Sequence, residues 1–207
     1  MGQENESAQL HIEVLGSRQR KVIRSVGGLA SRAGFYLAGG TALALQLGHR
    51  HSVDYDWFTT ETLADPIGLA ARIREGGLPL QITRAEEGAL HCRINEVRVS
   101  FIEYRYPLIA PLVEWVDEGC LLASLDDIAA MKLAAVAQRG SRKDIIDVYA
   151  LALRHKPIDQ LLSLYQKRYK IQDVTHVLYA LNYFDDADKE RTPTMLWMLT
   201  GAPSRQP

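Results

Sequence analysis

The chain has 207 residues, 47% of them hydrophobic and 24% charged, with a formal net charge of −1. That is the composition of an ordinary soluble globular protein with room for one substantial domain or a core plus an appendage. A balance so near zero excludes a global pull toward nucleic acid, so any such contact must come from a local basic patch.

Residues 1–13 are polar and acidic and lack the apolar centre of a signal peptide. Leu10, Val14, Val22, Val26 and Leu29 recur at helical spacing and predict an amphipathic helix over 8–33, ended near Gly34. Residues 35–38 read as a short buried strand, 41–47 as a helix beginning just beyond a glycine pair, and 53–58 as a second strand. A short helix over 67–74 stops at Gly76-Gly77-Leu78-Pro79. Three strands follow, at 80–85, 90–94 and 97–104, the last two joined by a tight turn at Asn95-Glu96.

Ser124 opens a capped helix running to about Gln138, which makes Asp126 and Asp127 cap-region acids rather than catalytic ones. The remainder is helical in pattern: 143–154, 158–168, 174–184 and a short segment at 195–199. The longest mostly apolar run, 121–136, is interrupted by Asp126, Asp127 and Lys132, which excludes a membrane span there and points to a cytoplasmic protein. Cys92 and Cys120 are too far apart for a paired metal motif and allow at most one disulfide, in a composition that reads as intracellular. The expected architecture is α+β: a mixed sheet with flanking helices over 1–122, and a helical region over 123–207 packed on it.

Two features carry chemistry. Gly39-Gly40 closes the first strand and precedes a helix; backbone N–H groups there, unobstructed by side chains, form an anion site. Asp54 and Asp56 sit two apart in the next strand, so both carboxylates project to one face with Cα atoms about 7 Å apart. A divalent cation relieves their repulsion, and Mg²⁺ favours one or two carboxylates plus substrate phosphates. Either feature alone is weak: most glycine pairs are merely turns, and many Asp-x-Asp pairs are solvated loops. Their succession through a single short helix is more specific, because it sets a phosphate cradle beside a metal site.

The run Leu37-Ala38-Gly39-Gly40-Thr41-Ala42-Leu43-Ala44-Leu45, followed by His49-Arg50, Ser52, Asp54, Asp56 and Phe58, closely resembles the AbiEii/AbiGii toxin family of nucleotidyltransferases, within the DNA polymerase β-like superfamily. A second block, Asp127, Ala130-Met131-Lys132-Leu133, Ala135, Arg139-Gly140, Lys143-Asp144 and Asp147, matches in order and approximate spacing. The resemblance covers about residues 35–150. It implies a polymerase β-like core in which Gly39, Gly40 and the Thr41 hydroxyl bind triphosphate while Asp54 and Asp56 ligate Mg²⁺. Arg50 would reach the phosphates or else pair with an acid to position its loop, and Ser52 would orient that loop or touch phosphate. Lys132, inside an apolar helical stretch, wants an anion, and the resemblance offers triphosphate; a snorkelling surface lysine is the alternative. Asp144 would act as general base on the acceptor hydroxyl or orient Lys132, unless it is simply a first-turn acid favoured by the helix dipole. Asp147 reads as structural, and His49 and His51 are poor candidates beside an oxygen-rich pair.

One departure stands out. Polymerase β-like enzymes commonly carry a third carboxylate on a neighbouring strand, yet the outward positions of 97–103 are Arg98, Ser100 and Ile102. Glu103 falls on the other face unless a bulge turns it. The expectation is thus an Mg²⁺-dependent nucleotidyltransferase acting from an NTP on RNA, such as a tRNA end, or on protein. It would be the toxin of a toxin–antitoxin pair, with Arg139, Arg142, Lys143, Lys167, Arg168 and Lys170 as a basic patch. The alternatives are a catalytically weakened nucleotide-binding or protein-interaction module of this fold and, third, a small-molecule nucleotidyltransferase.

Overall fold

The computed structural model describes residues 10–185 and 187–197. Its centre is one seven-stranded mixed sheet in the order β3-β4-β5-β2-β1-β7-β6. These strands are β1 (Tyr36–Ala38), β2 (Tyr55–Thr59), β3 (Leu80–Glu86), β4 (Ala89–Ile94), β5 (Val97–Glu103), β6 (Val113–Trp115) and β7 (Cys120–Leu122). Helices α1 (Ser17–Arg32), α2 (Gly39–Leu47) and α3 (Pro66–Glu75) interleave with the first strands. After the sheet come α4 (Leu125–Arg139), α5 (Arg142–Arg154), α6 (Ile158–Tyr169) and α7 (Thr175–Asn182).

The alternation read from the sequence decides which face each β2 residue takes. Tyr55, Trp57 and Thr59 are buried, and the Tyr55 hydroxyl donates to the Gln19 carbonyl of α1 at 3.0 Å. Asp56 and Phe58 point to the opposite face. β2 runs antiparallel to β1 and parallel to β5, with Asp56 between Ala38 and Ser100. The β4–β5 hairpin turns at Asn95 and Glu96, both at positive φ (49° and 67°), the geometry of a two-residue turn that matches strand twist. The Ser124 cap is as expected: its hydroxyl accepts from the Asp127 N–H at 3.0 Å.

Four local expectations need correction. The predicted 8–33 helix is broken: Ile12–Val14 forms a 3₁₀ turn, and α1 starts only at Ser17, with the Gly16 N–H donating to Gln19 Oε1 at 2.8 Å. The glycine pair does not precede α2 but forms its first two residues. β6 and β7 were not anticipated, because three-residue strands leave no period to read. The predicted helix at 195–199 is an extended segment where described: Met195 bridges to Arg50, and the Leu196 N–H donates to the His49 carbonyl at 2.9 Å; Met198 and Leu199 lie outside the described residues, as does the 1–9 part of the polar N-terminus. Cys92 and Cys120 are both free and buried. Among the described residues no helix is long and apolar enough to cross a membrane.

Candidate active site

α2 starts without a side-chain cap, since Ala38 precedes it, so the first amides of the helix have no side-chain acceptor. Gly39 adopts φ +66°, and a Cβ built on it would lie 3.2 Å from Asp56 Oδ2. A Cβ on Gly40 would lie 2.6 Å from Arg50 Nη2 and 3.5 Å from Ser52 Oγ. Both glycines are therefore required by close approach, and they bring the helix N-terminus against the Asp56 carboxylate and the Arg50 guanidinium. These groups line a cavity of about 500 Å³, within the range of small-ligand sites. Gly39, Gly40, Ser52, Asp54, Asp56, Lys132, Arg139 and Lys143 form its polar side, with Phe58, Ile102, Tyr104, Met131, Ala134 and Ala135 as its apolar side.

The two aspartates are not equivalent. Asp56 lies in β2, where burial and then the charge of Asp54 push its carboxyl above the usual carboxylate range, against opposing help from Lys132 and a hydrogen bond from Ser100. Asp54 sits just before the strand rather than inside it, and Arg98 grips it with both arms of its guanidinium, Nε to Oδ1 at 2.8 Å and Nη2 to Oδ2 at 2.9 Å. The Arg98 side chain is 63% exposed. Such an exposed pair contributes at most about 1 kcal/mol, so Asp54 is neutralised only by a partner that is readily exchanged.

Beneath the glycines lies a second charge cluster, buried except for Arg139 at its edge. Asp147 of α5 accepts from Arg50 Nε at 2.7 Å and Nη2 at 2.8 Å, stands 2.8 Å from His49 Nε2, and pairs with Lys132 Nζ at 2.6 Å. Lys132, 5% exposed, also pairs with Asp144 at 2.9 Å. Asp144 in turn accepts from Arg139 Nε at 2.7 Å and from the Ser141 hydroxyl at 2.6 Å. Burial, the largest single influence, would raise both carboxyls, but Lys132 together with the hydrogen-bonding partners of each outweighs it, and both are held well below the usual range. Burial likewise opposes the Lys132 charge, and Asp147 and Asp144 overcome it, so its ammonium titrates above the ordinary lysine value.

The anion Lys132 wants is thus supplied by its own chain, and the snorkelling alternative is excluded. Asp144, carrying three donors, has the geometry of a residue that orients Lys132 and Arg139. Of the two arrangements considered for Arg50, the structure has the ion pair. Thr41 does not line the cavity: its hydroxyl donates to the Asp54 carbonyl and lies 2.8 Å from Ser52 Oγ, so Thr41 and Ser52 together pin the Arg50–Asp54 loop. His51 is occupied by the Val14 carbonyl at 2.9 Å.

Other expected residues fall elsewhere. Asp127 pairs with the buried Arg168 and accepts from the Ile109 N–H at 2.9 Å, tying α4 to α6. Asp126 meets His155 and Lys156. Arg168 is therefore withdrawn from the basic patch, and Arg142 is engaged by the 187–192 segment. Sequence reasoning missed the Arg98 clamp, although strict alternation puts Arg98 on the face shared by Ser100. It also missed the strap formed by 193–197: the His51 N–H donates to the Thr194 carbonyl at 2.9 Å, Pro193 and Thr194 edge the cavity, and Trp197 packs edge-on to His49 at 5.7 Å.

No bulge interrupts the β2–β5 register, and Glu103 accepts from the Leu63 N–H at 2.8 Å and from Arg105, so it does not turn into the site. Among the described residues no group of three His, Cys, Asp or Glu side chains is arranged to hold a metal ion. What remains is an all-oxygen pair, one member half-buried with its charge only partly relieved, which suits a hard divalent cation.

The family profile described as "Nucleotidyl transferase AbiEii toxin, Type IV TA system" matches residues 64–199. Uncharacterized protein aq_aa25 of Aquifex aeolicus (strain VF5) is 35% identical over 178 residues, 85% of this chain and 86% of that protein. MenT4, the nucleotidyltransferase toxin Rv2826c from Mycobacterium tuberculosis H37Rv, superposes with a TM-score of 0.51 at 18% identity, over 70% of this chain and 61% of its own. ANT(2")-Ia in complex with adenylyl-2"-tobramycin gives 0.53 at 12% identity, over 74% of this chain and 98% of its own. The two structural likenesses establish a shared fold, the α+β polymerase β-like core. The family profile, which spans more than half of the chain, establishes more: the chain belongs to the AbiEii nucleotidyltransferase toxin family.

Proposed function

We propose that the cavity binds an NTP with its phosphates on the N-terminal amides of α2 at Gly39 and Gly40, and with Mg²⁺ held by Asp54 and Asp56. The observation that carries this reading is how closely Asp56 Oδ2 approaches Gly39, where an added Cβ would lie only 3.2 Å from it, so that a phosphate on the amides and a cation on the carboxylate would share one small volume. When bound, the cation would neutralise phosphate charge and polarise the phosphoryl oxygens. The chain's own groups do the rest. Arg139 and Lys143 lie on the cavity wall, where departing pyrophosphate charge would be met. Lys132, oriented by Asp144, fixes the electrostatic floor, while Arg50, Thr41 and Ser52 hold the loop in register.

In this reading 1–122 supplies the glycines and aspartates, and 123–207 supplies the cations. The nucleotidyl group passes to RNA, a tRNA end being one candidate, or to a protein, in a cytoplasmic toxin restrained by a cognate antitoxin. Membership of a nucleotidyltransferase toxin family supports the toxin role. Labelled NTPs with Mg²⁺, screened against total RNA, protein extract and hydroxylated small molecules, test the acceptor class. Incorporation must vanish in Asp54→Ala and Asp56→Ala; unchanged labelling in either variant overturns the assignment.

A second reading is favoured by one specific observation. Ser100, not an acid, stands opposite Asp56, which fits a weakened module that binds nucleotide and acts through a partner. Calorimetric NTP binding with no transfer to any acceptor class would select it.

A further inference from the structure

β4, β5 and β2 place three side chains in a row on the site face of the sheet. Asp56 is opposite Ser100 in the parallel pair, and Ser100 is opposite His91 in the antiparallel one. Ser100 stands beside Asp56 in the β2–β5 register, on the same face, and His91 Nδ1 lies 3.1 Å from Ser100 Oγ. A hydroxyl has one proton. If it goes to Asp56, the Ser100 oxygen must accept from His91, which fixes the imidazole with its proton on Nδ1. All donors then run in one direction, His91 to Ser100 to Asp56.

The acids that might otherwise complete the site are committed elsewhere. Glu103 belongs to Leu63 and Arg105, and Asp144 to Lys132, Arg139 and Ser141. Asp56 meanwhile is flanked by another acid and partly removed from water, so without a donor nothing sets which oxygen faces the cavity.

We propose that His91 and Ser100 are positioning residues that aim the Asp56 carboxylate at a divalent cation, replacing an additional acid on β5 by a directional hydrogen-bond chain. The proposal rests on the reading of Asp54 and Asp56 as a cation pair. It goes beyond that reading by naming the side chains that stand behind the Asp56 carboxylate and by making the site one of two carboxylates rather than three. Partners behind a metal ligand typically matter by about 10–100-fold in metal affinity.

The test is Mn²⁺ titration of the full chain without nucleotide, followed by electron paramagnetic resonance. Ser100→Ala and His91→Ala should each weaken Mn²⁺ binding by about tenfold. Ser100→Thr, which keeps the hydroxyl, and His91→Asn, which keeps an N–H donor, should stay within about threefold of wild type. Ser100→Asp should tighten binding, because it adds the acid that the row lacks. Wild-type affinity in both alanine variants, or equal losses in the alanine and conservative variants, overturns the proposal. Should an alanine variant fail to fold, Ser100→Cys, a weak donor of similar size, and His91→Phe, a ring without a donor, take its place, and wild-type Mn²⁺ affinity in both overturns the proposal. Asp56→Asn separates the layers. If it abolishes Mn²⁺ binding while Ser100→Ala and His91→Ala do not weaken it, the cation pair stands and the relay alone falls. If Asp56→Asn binds Mn²⁺ like wild type, the cation reading itself is wrong.

Discussion

Asp147→Asn is the most revealing single change, because it removes one charge from the buried cluster while keeping the side chain's size. Asp147 is fully buried and serves Arg50, Lys132 and His49 together. Without its charge, Lys132 still has Asp144, but the Arg50 guanidinium, 4% exposed, is left as an uncompensated buried cation. Breaking a buried pair on one side costs about 3–5 kcal/mol. For a chain of this size each kcal/mol lowers Tm by about 2–4 °C, so the expected fall is about 6–20 °C, a large part of a total stability of about 5–15 kcal/mol. Circular dichroism melts and urea titrations at pH 7 measure it. Arg50→Met should cost less, because Asp147 keeps Lys132 and His49. The double variant Arg50→Met/Asp147→Asn should lie above the sum of the two singles by about 0.5–3 kcal/mol of coupling. A Tm within 2 °C of wild type in Asp147→Asn would refute the claim that this cluster holds α5 to the glycine turn.

Three further outcomes follow from the same charge map. Asp56→Asn should raise Tm in metal-free buffer by about 1–8 °C, from a gain of about 0.5–2 kcal/mol, since a carboxyl whose folded pKa is raised opposes folding once ionised; a lower Tm contradicts it. Asp144 and Asp147 have depressed folded pKa values, so their stabilisation is complete above the ordinary value of 3.8 and is lost as pH falls below it. Urea midpoints should therefore hold from pH 7 to about 5 and drop below about 4, and a drop of the same size in Asp144→Asn/Asp147→Asn would show that other groups cause it. The Cys92 and Cys120 thiols are pushed up to about 12 by burial, so a thiol reagent at pH 8 should label neither in the native protein and both in urea; rapid native labelling counts against the packing around β4 and β7.

Much of the site was legible because its signals are local. The glycine pair beside a helix and the alternation of β2 depend on residues within a few positions of one another, so both were found, although the pair opens α2 rather than preceding it and Asp54 falls just before the strand. Ser100 as the outward position of β5 followed from the same period of two. Lys132 was legible as a lysine in need of an anion, but which anion depends on how α5 crosses α4, and no local pattern encodes that crossing. The clamp of Arg98 on Asp54 joins residues 44 positions apart, and the strap at 193–197 pairs with a loop nearly 150 residues earlier, so both were invisible to periodicity. Arg168 was misjudged for a related reason: one arginine in a basic helix end looks solvated until the acid that buries it, Asp127, arrives from another helix.

The contrast between the two acid pairs is what gives the cavity its direction. Asp144 and Asp147 are buried against cations of their own chain, with hydrogen bonds to spare, and no exchangeable ion can compete for them without leaving Lys132 or Arg50 unpaired. Asp54 and Asp56 have the opposite character. One is held by an exposed arginine through an interaction that salt screens, and the other keeps a charge that its surroundings oppose. A divalent cation entering the cavity therefore meets one pair that resists it and one pair that it relieves. The relieved pair adjoins the amides that would hold phosphate. On the proposed reading, that cation would compete with Arg98 for Asp54 and release its guanidinium. Raising the salt concentration should for the same reason weaken the Arg98–Asp54 clamp while leaving the buried cluster intact. Mn²⁺ affinity in Arg98→Ala should accordingly exceed that of wild type, and a decrease would mean that Arg98 orients Asp54 for the cation rather than competing with it.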